Sequence, residues 1–246
     1  MQGASVGYDT SDGRSEGQNQ PQGEHQNTAP EEHGASKNDQ PGTSSNVPHA
    51  LEELPWNLQL INGSHPLPSD FVPPELVDIP GGSHTIDSRV YDHLMAMLDA
   101  ADKAGTPPAV CSAYRTYDYQ RQLFESRVER CKREKGLEGE EAENEAAFWV
   151  ARPGTSEHQA GLAVDLIDQN YTELDKAQES TPTQKWLMEH CAEYGFILRY
   201  PTSKSAITGI GYEPWHYRFV GVKFASAITN SGLCFEEWLE RYLAGS

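Results

Sequence analysis

His158 and Asp165 stand seven positions apart in RPGTSEHQAGLAVDLID, residues Arg152 to Asp168. His216 stands three positions after Glu213 in GYEPWHYRF. Imidazole nitrogen and carboxylate oxygen both bind borderline divalent cations. Two histidines and one carboxylate suit a zinc ion with its fourth position left open. Zinc lowers the pKa of water in such a position to roughly 7. A carboxylate outside the ligand set must then take the proton, and Glu213 is the candidate. The chemistry implied is metal-assisted hydrolysis. Spacing alone leaves structural residues as the competing reading. The remaining histidines of the apolar part of the chain, His65, His84, His93 and His190, have no such companion.

For these groups to meet, a loop must carry His158 and the following strand Asp165. Gly161 and Ala163 leave backbone room between them. LAVDLID reads as that strand, and a strand bearing His216 beside it supplies the third ligand. The rest of the chain reads as the frame. LQLINGSHPLPSDFVPPELVDI is apolar but broken by prolines, so it is extended and wraps the domain. Ile86, Val90, Leu94, Met97, Leu98 and Ala101 have helical spacing, closed by Gly105. PPAVCSAY reads as a strand. YDYQRQLFESRVERCKREKG reads as a charged helix ending at Gly136, with Asp118 as its cap. EGEEAENEAAFWVA is a further helix with acids in its first turn. TPTQKWLMEHCAEYG has Thr181 as N-cap, Pro182 at the first position and Gly195 at the end. FILRYP, ITGIGYE and WHYRFV read as three short strands, followed by two terminal helices. Strands and helices do not alternate strictly, so the expected fold is α+β: a mainly antiparallel central sheet flanked by helices.

Residues 1–50 contain almost no large apolar side chain. Their Gly, Ser, Asn, Gln, Pro and Glu cannot bury enough surface to offset the entropy of ordering. They read as a disordered linker, with His25, His33 and His49 solvated, and residues 51–246 as the domain. The net charge of -18, from 19 Lys and Arg against 37 Asp and Glu, excludes nucleic-acid phosphate as a partner. No run of 18 apolar residues exists to span a membrane. No signal peptide is visible, so the protein is either cytosolic or separated from an export segment. Cys111, Cys131, Cys191 and Cys234 form no CxxC pair. They are either buried free thiols or, outside the cell, up to two disulfides.

Three blocks together resemble a known family. SAYRTYDYQ (112–120), PGTSEHQAGLAVD (153–165) and ITGIGYEPWHYRFVG (207–221) are similar to the signature blocks of the VanY-type D-alanyl-D-alanine carboxypeptidases. These are zinc peptidases with the fold of the Hedgehog signalling domain. The pattern S-x-H-x-x-G-x-A-x-D is met by Ser156, His158, Gly161, Ala163 and Asp165. The pattern E-x-W-H is met by Glu213, Trp215 and His216. HPLPSDFVPPEL is similar as well, so the resemblance covers about residues 55 to 243.

The resemblance implies His158, Asp165 and His216 as ligands of one Zn2+ per chain, Glu213 as general base and Arg115 as the cation facing the substrate. A guanidinium can hold a terminal carboxylate or an oxyanion; taken alone, Arg115 also reads as a surface ion pair. Gln120, one helical turn on, could bond the same ligand. Ser156 positions the peptide or caps a turn. Tyr200 and Trp215 wall the pocket or belong to the core.

The implied activity is removal of a C-terminal D-alanine from peptidoglycan stem peptides, by an extracellular monomer. Its attachment to wall or membrane surface would run through a segment absent from this chain. The alternatives are an L,D-carboxypeptidase acting on stem tetrapeptides and a non-catalytic, zinc-holding Hedgehog-like binding module.

Overall fold

Four strands form one antiparallel sheet in the order β3-β4-β6-β5: β3 (Pro108–Ser112), β4 (Ala163–Asp168), β5 (Phe196–Leu198) and β6 (His216–Phe219). The structure, a computed structural model, describes residues 51–245. The expected linker at 1–50, with its three histidines, lies outside the described residues. The two inner strands carry the expected ligands. Asp165 on β4 pairs in register with His216 on β6, so both side chains leave the same face. A bulge in β3 sets Ser112, rather than Cys111, opposite Asp165.

The other face of the sheet is apolar. Val164 and Leu166 of β4, Phe196 of β5, and Tyr217 and Phe219 of β6 join one buried cluster. The helix α1 (Ser88–Lys103) lays Val90, Leu94 and Met97 on that cluster. This is the stripe that the helical spacing predicts. Asp87 caps α1 by accepting from the Arg89 backbone N–H at 2.9 Å. A hairpin of β1 (Leu76–Asp78) and β2 (Thr85–Asp87) precedes it. The extended entry therefore includes a sheet that proline content concealed, and Ile86 belongs to β2 rather than to the helix.

The helix α2 (Tyr117–Lys135) packs on α3 (Gly139–Ala147) through Phe124, Val128, Cys131, Ala142 and Ala146. Thr116, not Asp118, caps α2: its hydroxyl accepts from the Tyr119 N–H at 3.1 Å, while Asp118 pairs with Arg121. The helix α4 (Pro182–His190) starts at the Thr181 cap as expected. After β5, ITGIGYE is not a strand. The short helix α5 (Ser205–Thr208) closes on Gly209, whose φ of 75° is left-handed. The Gly211 N–H then bonds the Phe148 carbonyl at 2.8 Å instead of joining a ladder. The helices α6 (Val222–Ser231) and α7 (Phe235–Leu243) end the chain and form a further core with Leu54, Leu58, Ile197 and Val220. All four cysteines are free, which settles the choice between disulfides and thiols.

Candidate metal centre

His158 sits in a tight turn, Glu157–Ala160, that ends on Gly161 with φ 65°. A side chain at Gly161 would meet the Asp87 backbone nitrogen at 2.9 Å, so only glycine lets the turn press on the α1 cap. Asp165 follows on β4. His216 opens β6 after a turn in which its N–H bonds the Glu213 carbonyl at 3.3 Å. Pro214 occupies the second position of that turn, which suits its fixed φ. The Glu213 N–H is tied to the Tyr200 carbonyl at 3.3 Å. Two residues earlier, a side chain at Gly211 would press to 3.0 Å from both Phe148 and Trp149.

One ligand atom from each of His158, Asp165 and His216 lies within 4.8 Å of the others, and all three residues are buried. The His158 Nδ1 is 2.7 Å from the Ala113 carbonyl. A carbonyl only accepts, so Nδ1 carries the proton and Nε2 presents its lone pair. That Nε2 lies 3.3 Å from Asp165 Oδ2, yet it is buried without a hydrogen bond. The two observations agree: the pair is close, but the geometry is not that of a donor and its acceptor. The His216 Nδ1 faces Asp165 Oδ1 at 3.0 Å and Glu213 Oε2 at 3.8 Å. A buried lone pair with no donor, beside a second imidazole nitrogen and a carboxylate, is the donor set of a tetrahedral zinc site. These residues fit the ion.

Burial and the Arg115 charge push His158 down to about 4, against the upward pull of Asp165. Burial also disfavours charge on His216, but its hydrogen bonds to Asp165 and Glu157 reverse that and raise it to about 9. Without metal, the cluster therefore draws in a proton where a cation would sit. Burial pushes the Glu213 carboxyl up to about 8, opposed by the attraction of His216. Asp165 stays ionised well below the usual carboxylate range; burial opposes this, and His158, His216 and Arg115 outweigh it.

Arg115 does more than meet solvent. Its Nε donates to Ser112 Oγ at 2.7 Å, Nη1 to Gln120 Oε1 at 3.2 Å and Nη2 to Asp165 Oδ2 at 2.6 Å. The surface ion pair is excluded, since the carboxylate partner is buried. Gln120 is buried and its amide is engaged at both ends, the second through Nε2 to the Ala151 carbonyl at 2.8 Å. Ser156 precedes the His158 turn, but its side chain does not cap it. Tyr200 is buried with its ring centroid 4.8 Å from that of His216. Trp215 is buried too, and its carbonyl accepts from Leu166 N–H.

Four residues near the site escaped sequence reasoning: Glu157, Arg199, Arg218 and Glu236. Glu157 Oε1 accepts from Arg199 Nε at 2.7 Å and lies 3.0 Å from Arg218 Nη1. Arg199 Nη1 and Nη2 donate to Glu236 at 2.9 and 2.6 Å. A signal for one of them was present. In HYRF, Arg218 is two residues after His216, so a strand puts both on one face.

The family model described as VanY, D-alanyl-D-alanine carboxypeptidase, matches residues 83–222. A D-alanyl-D-alanine carboxypeptidase of Enterococcus faecalis is 39% identical over 206 residues, covering 84% of this chain and 74% of that protein. The solved structure of VanYB in complex with D-alanine-D-alanine is 40% identical, with a TM-score of 0.68 over 76% of this chain and 98% of that one. A variant of the vancomycin-resistance D,D-pentapeptidase VanY, solved in complex with Zn(II), is 39% identical with a TM-score of 0.67, over 75% of this chain and 99% of that one. The matched segment holds every residue that converges on the His158–Asp165–His216 centre from β3, β4 and β6. The chain belongs to the VanY family of D-alanyl-D-alanine carboxypeptidases.

Proposed function

We propose that this chain is a zinc-dependent carboxypeptidase that hydrolyses the D-alanyl-D-alanine bond at the C-terminus of peptidoglycan stem peptides. The observation that carries it is the buried His158 Nε2 without a hydrogen bond, facing the ligand atoms of Asp165 and His216. His158, Asp165 and His216 hold the ion. When bound, zinc supplies Lewis acidity, lowering the pKa of water and polarising a carbonyl.

The chain's own groups do the rest. Glu213 lies beside the ligands but outside their set. Burial raises its carboxyl, and a cation held by the ligands would favour its ionised form; as a carboxylate it would take a proton from the attacking water and return it to the leaving amine. Arg115 fixes Asp165 and, of its five N–H donors, commits three to the protein. The other two remain for the oxyanion or for the terminal carboxylate of the peptide. Gln120, spent on Arg115 and Ala151, stands behind Arg115 as its support. Ser156, two residues before His158, Trp215, next to His216, and Tyr200, against the His216 ring, are the residues this reading assigns to the peptide. His158, Asp165, His216, Glu213 and Arg115 all come from one chain, and the reading takes the enzyme as a monomer. Its substrate places it outside the cell, at the wall; among the described residues no helix is long and apolar enough to cross a membrane.

The test is release of D-alanine from a stem pentapeptide by zinc-loaded protein, run beside the tetrapeptide and beside chelator-treated enzyme. Pentapeptide turnover that depends on metal is the expected result. Turnover of the tetrapeptide alone would make the enzyme an L,D-carboxypeptidase, and release from neither would leave a binding module.

A further inference from the structure

Each metal-facing histidine has a second ring nitrogen, and the two are held differently. His158 gives its Nδ1–H to a neutral acceptor, the Ala113 carbonyl. His216 turns its Nε2 toward a carboxylate, Glu157 Oε2, at 3.5 Å. Glu157 is wholly buried, and its two oxygens divide their work. Oε1 faces both guanidiniums, Arg199 and Arg218. Oε2 faces the imidazole.

The surrounding charges keep this carboxylate ionised and in place. Arg199 is clamped on its far side by Glu236 of α7. Arg218 donates to the Asn57 and Gln59 carbonyls of the entering segment at 3.2 and 2.9 Å, and to the Phe219 carbonyl at 2.9 Å. Two guanidiniums and two carboxylates cancel without any contribution from His216. Oε2 is therefore left as an acceptor for a neutral imidazole carrying its proton on Nε2, which frees Nδ1 to face Asp165 and Glu213.

We propose that Glu157 is a positioning residue for His216: it accepts the Nε2–H, fixes the ring and its tautomer, and so presents Nδ1 to the metal. An ionised acceptor behind a ligating imidazole also raises its basicity, as in other carboxylate–histidine–metal arrangements. The two histidines then bind through opposite nitrogens, His158 by Nε2 and His216 by Nδ1. The inference rests on the metal-site reading above.

The first experiment uses zinc-loaded wild-type protein labelled with 15N-histidine. Long-range 1H–15N spectra should show His216 protonated on Nε2 and His158 on Nδ1. Protonation of His216 on Nδ1 overturns the proposal without any variant. The second experiment compares Glu157→Gln with Glu236→Gln, which perturbs the same charge cluster but touches no ligand. Zinc affinity, measured by chelator competition, should fall roughly 10–100-fold in Glu157→Gln and stay at the wild-type value in Glu236→Gln. The His216 Nε2–H resonance should move only in Glu157→Gln. Equal losses in both variants, or unchanged affinity in Glu157→Gln, would reduce Glu157 to a neutraliser of arginines. If Glu157→Gln does not fold, the wild-type spectrum decides. If wild-type protein binds no zinc, the metal-site reading fails first; if it binds zinc through His216 and Glu157→Gln is indifferent, only the role of Glu157 falls.

Discussion

Two buried polar clusters share one face of the sheet, and they are built to opposite ends. The first, His158, Asp165 and His216, includes a nitrogen with no hydrogen bond and draws a proton into the place of a cation. The second, Glu157, Arg199, Arg218 and Glu236, balances its own charges and ties the entering segment, β5, β6 and α7 together. Burying ions without partners costs several kcal/mol, so the second cluster must be closed. The first is open because its missing partner comes from outside the chain. Removing a residue from the open cluster should destroy function with modest effect on the fold; removing one from the closed cluster should do the reverse, except at Glu157, whose second oxygen faces His216.

The largest effect belongs to the ligands. His158→Ala and His216→Ala should each lose zinc and D-alanine release together. Zinc should raise the Tm of wild-type protein through preferential binding to the folded state, and should leave the Tm of both variants unmoved. Stoichiometric zinc in either variant would remove that histidine from the ligand set and erase the contrast between the clusters.

Glu213→Gln comes next. It keeps size and hydrogen bonding but removes the base, and general-base help is worth typically about 10²–10⁴-fold. Turnover should fall by that range while zinc content holds. Loss of zinc would instead make Glu213 a fourth ligand, and unchanged turnover would return the site to a binding module.

Arg115→Lys should have a smaller effect. Lysine keeps the charge but is a point donor, and it cannot hold Ser112, Gln120 and Asp165 at once. Activity lower by about 10–100-fold is expected of a lost ligand support, with Arg115→Ala lower still. Kinetics like wild type in both variants would show that Asp165 needs no such support.

The open cluster was legible in the sequence because its residues sit in short motifs with a strand and a turn to present them. Asp165 and His216 needed only two adjacent antiparallel strands, and the register delivers that. The closed cluster was not legible. Its pairs are 37 to 61 residues apart, and an arginine in a strand carries no mark of its partner. For the same reason the bond from Arg115 to Asp165, 50 residues on, could not be read from the sequence. In the fold, Val90, Leu94 and Met97 announced α1 through their spacing. ITGIGYE misled because Ile210 and Tyr212 have the spacing of a strand, although Ile207 breaks the period. Gly209 turns the chain left-handed there, and Gly211 fits under Phe148 and Trp149, a close approach visible only in three dimensions.

The smallest effect on catalysis, and the one that isolates the closed cluster, is that of Glu236→Gln. Arg199 is fully buried, and its guanidinium makes one hydrogen bond to Glu157 and two to Glu236. Glutamine keeps one acceptor oxygen and loses the charge, so one guanidinium N–H and one unit of compensation are lost. Glu236 is partly open to solvent, with 13% of its side chain exposed, so water can take up some of the bond. The cost should therefore lie near that of a lost hydrogen bond to a buried donor, about 1–3 kcal/mol, below the 3–5 kcal/mol typical of breaking a fully buried pair. For a domain of this size that is a Tm lower by roughly 2–12 °C. Turnover at 25 °C and zinc affinity should match wild type, because no atom of Glu236 reaches a ligand. A fall in turnover without a fall in Tm would mean that the two clusters are a single network, with α7 part of the active site.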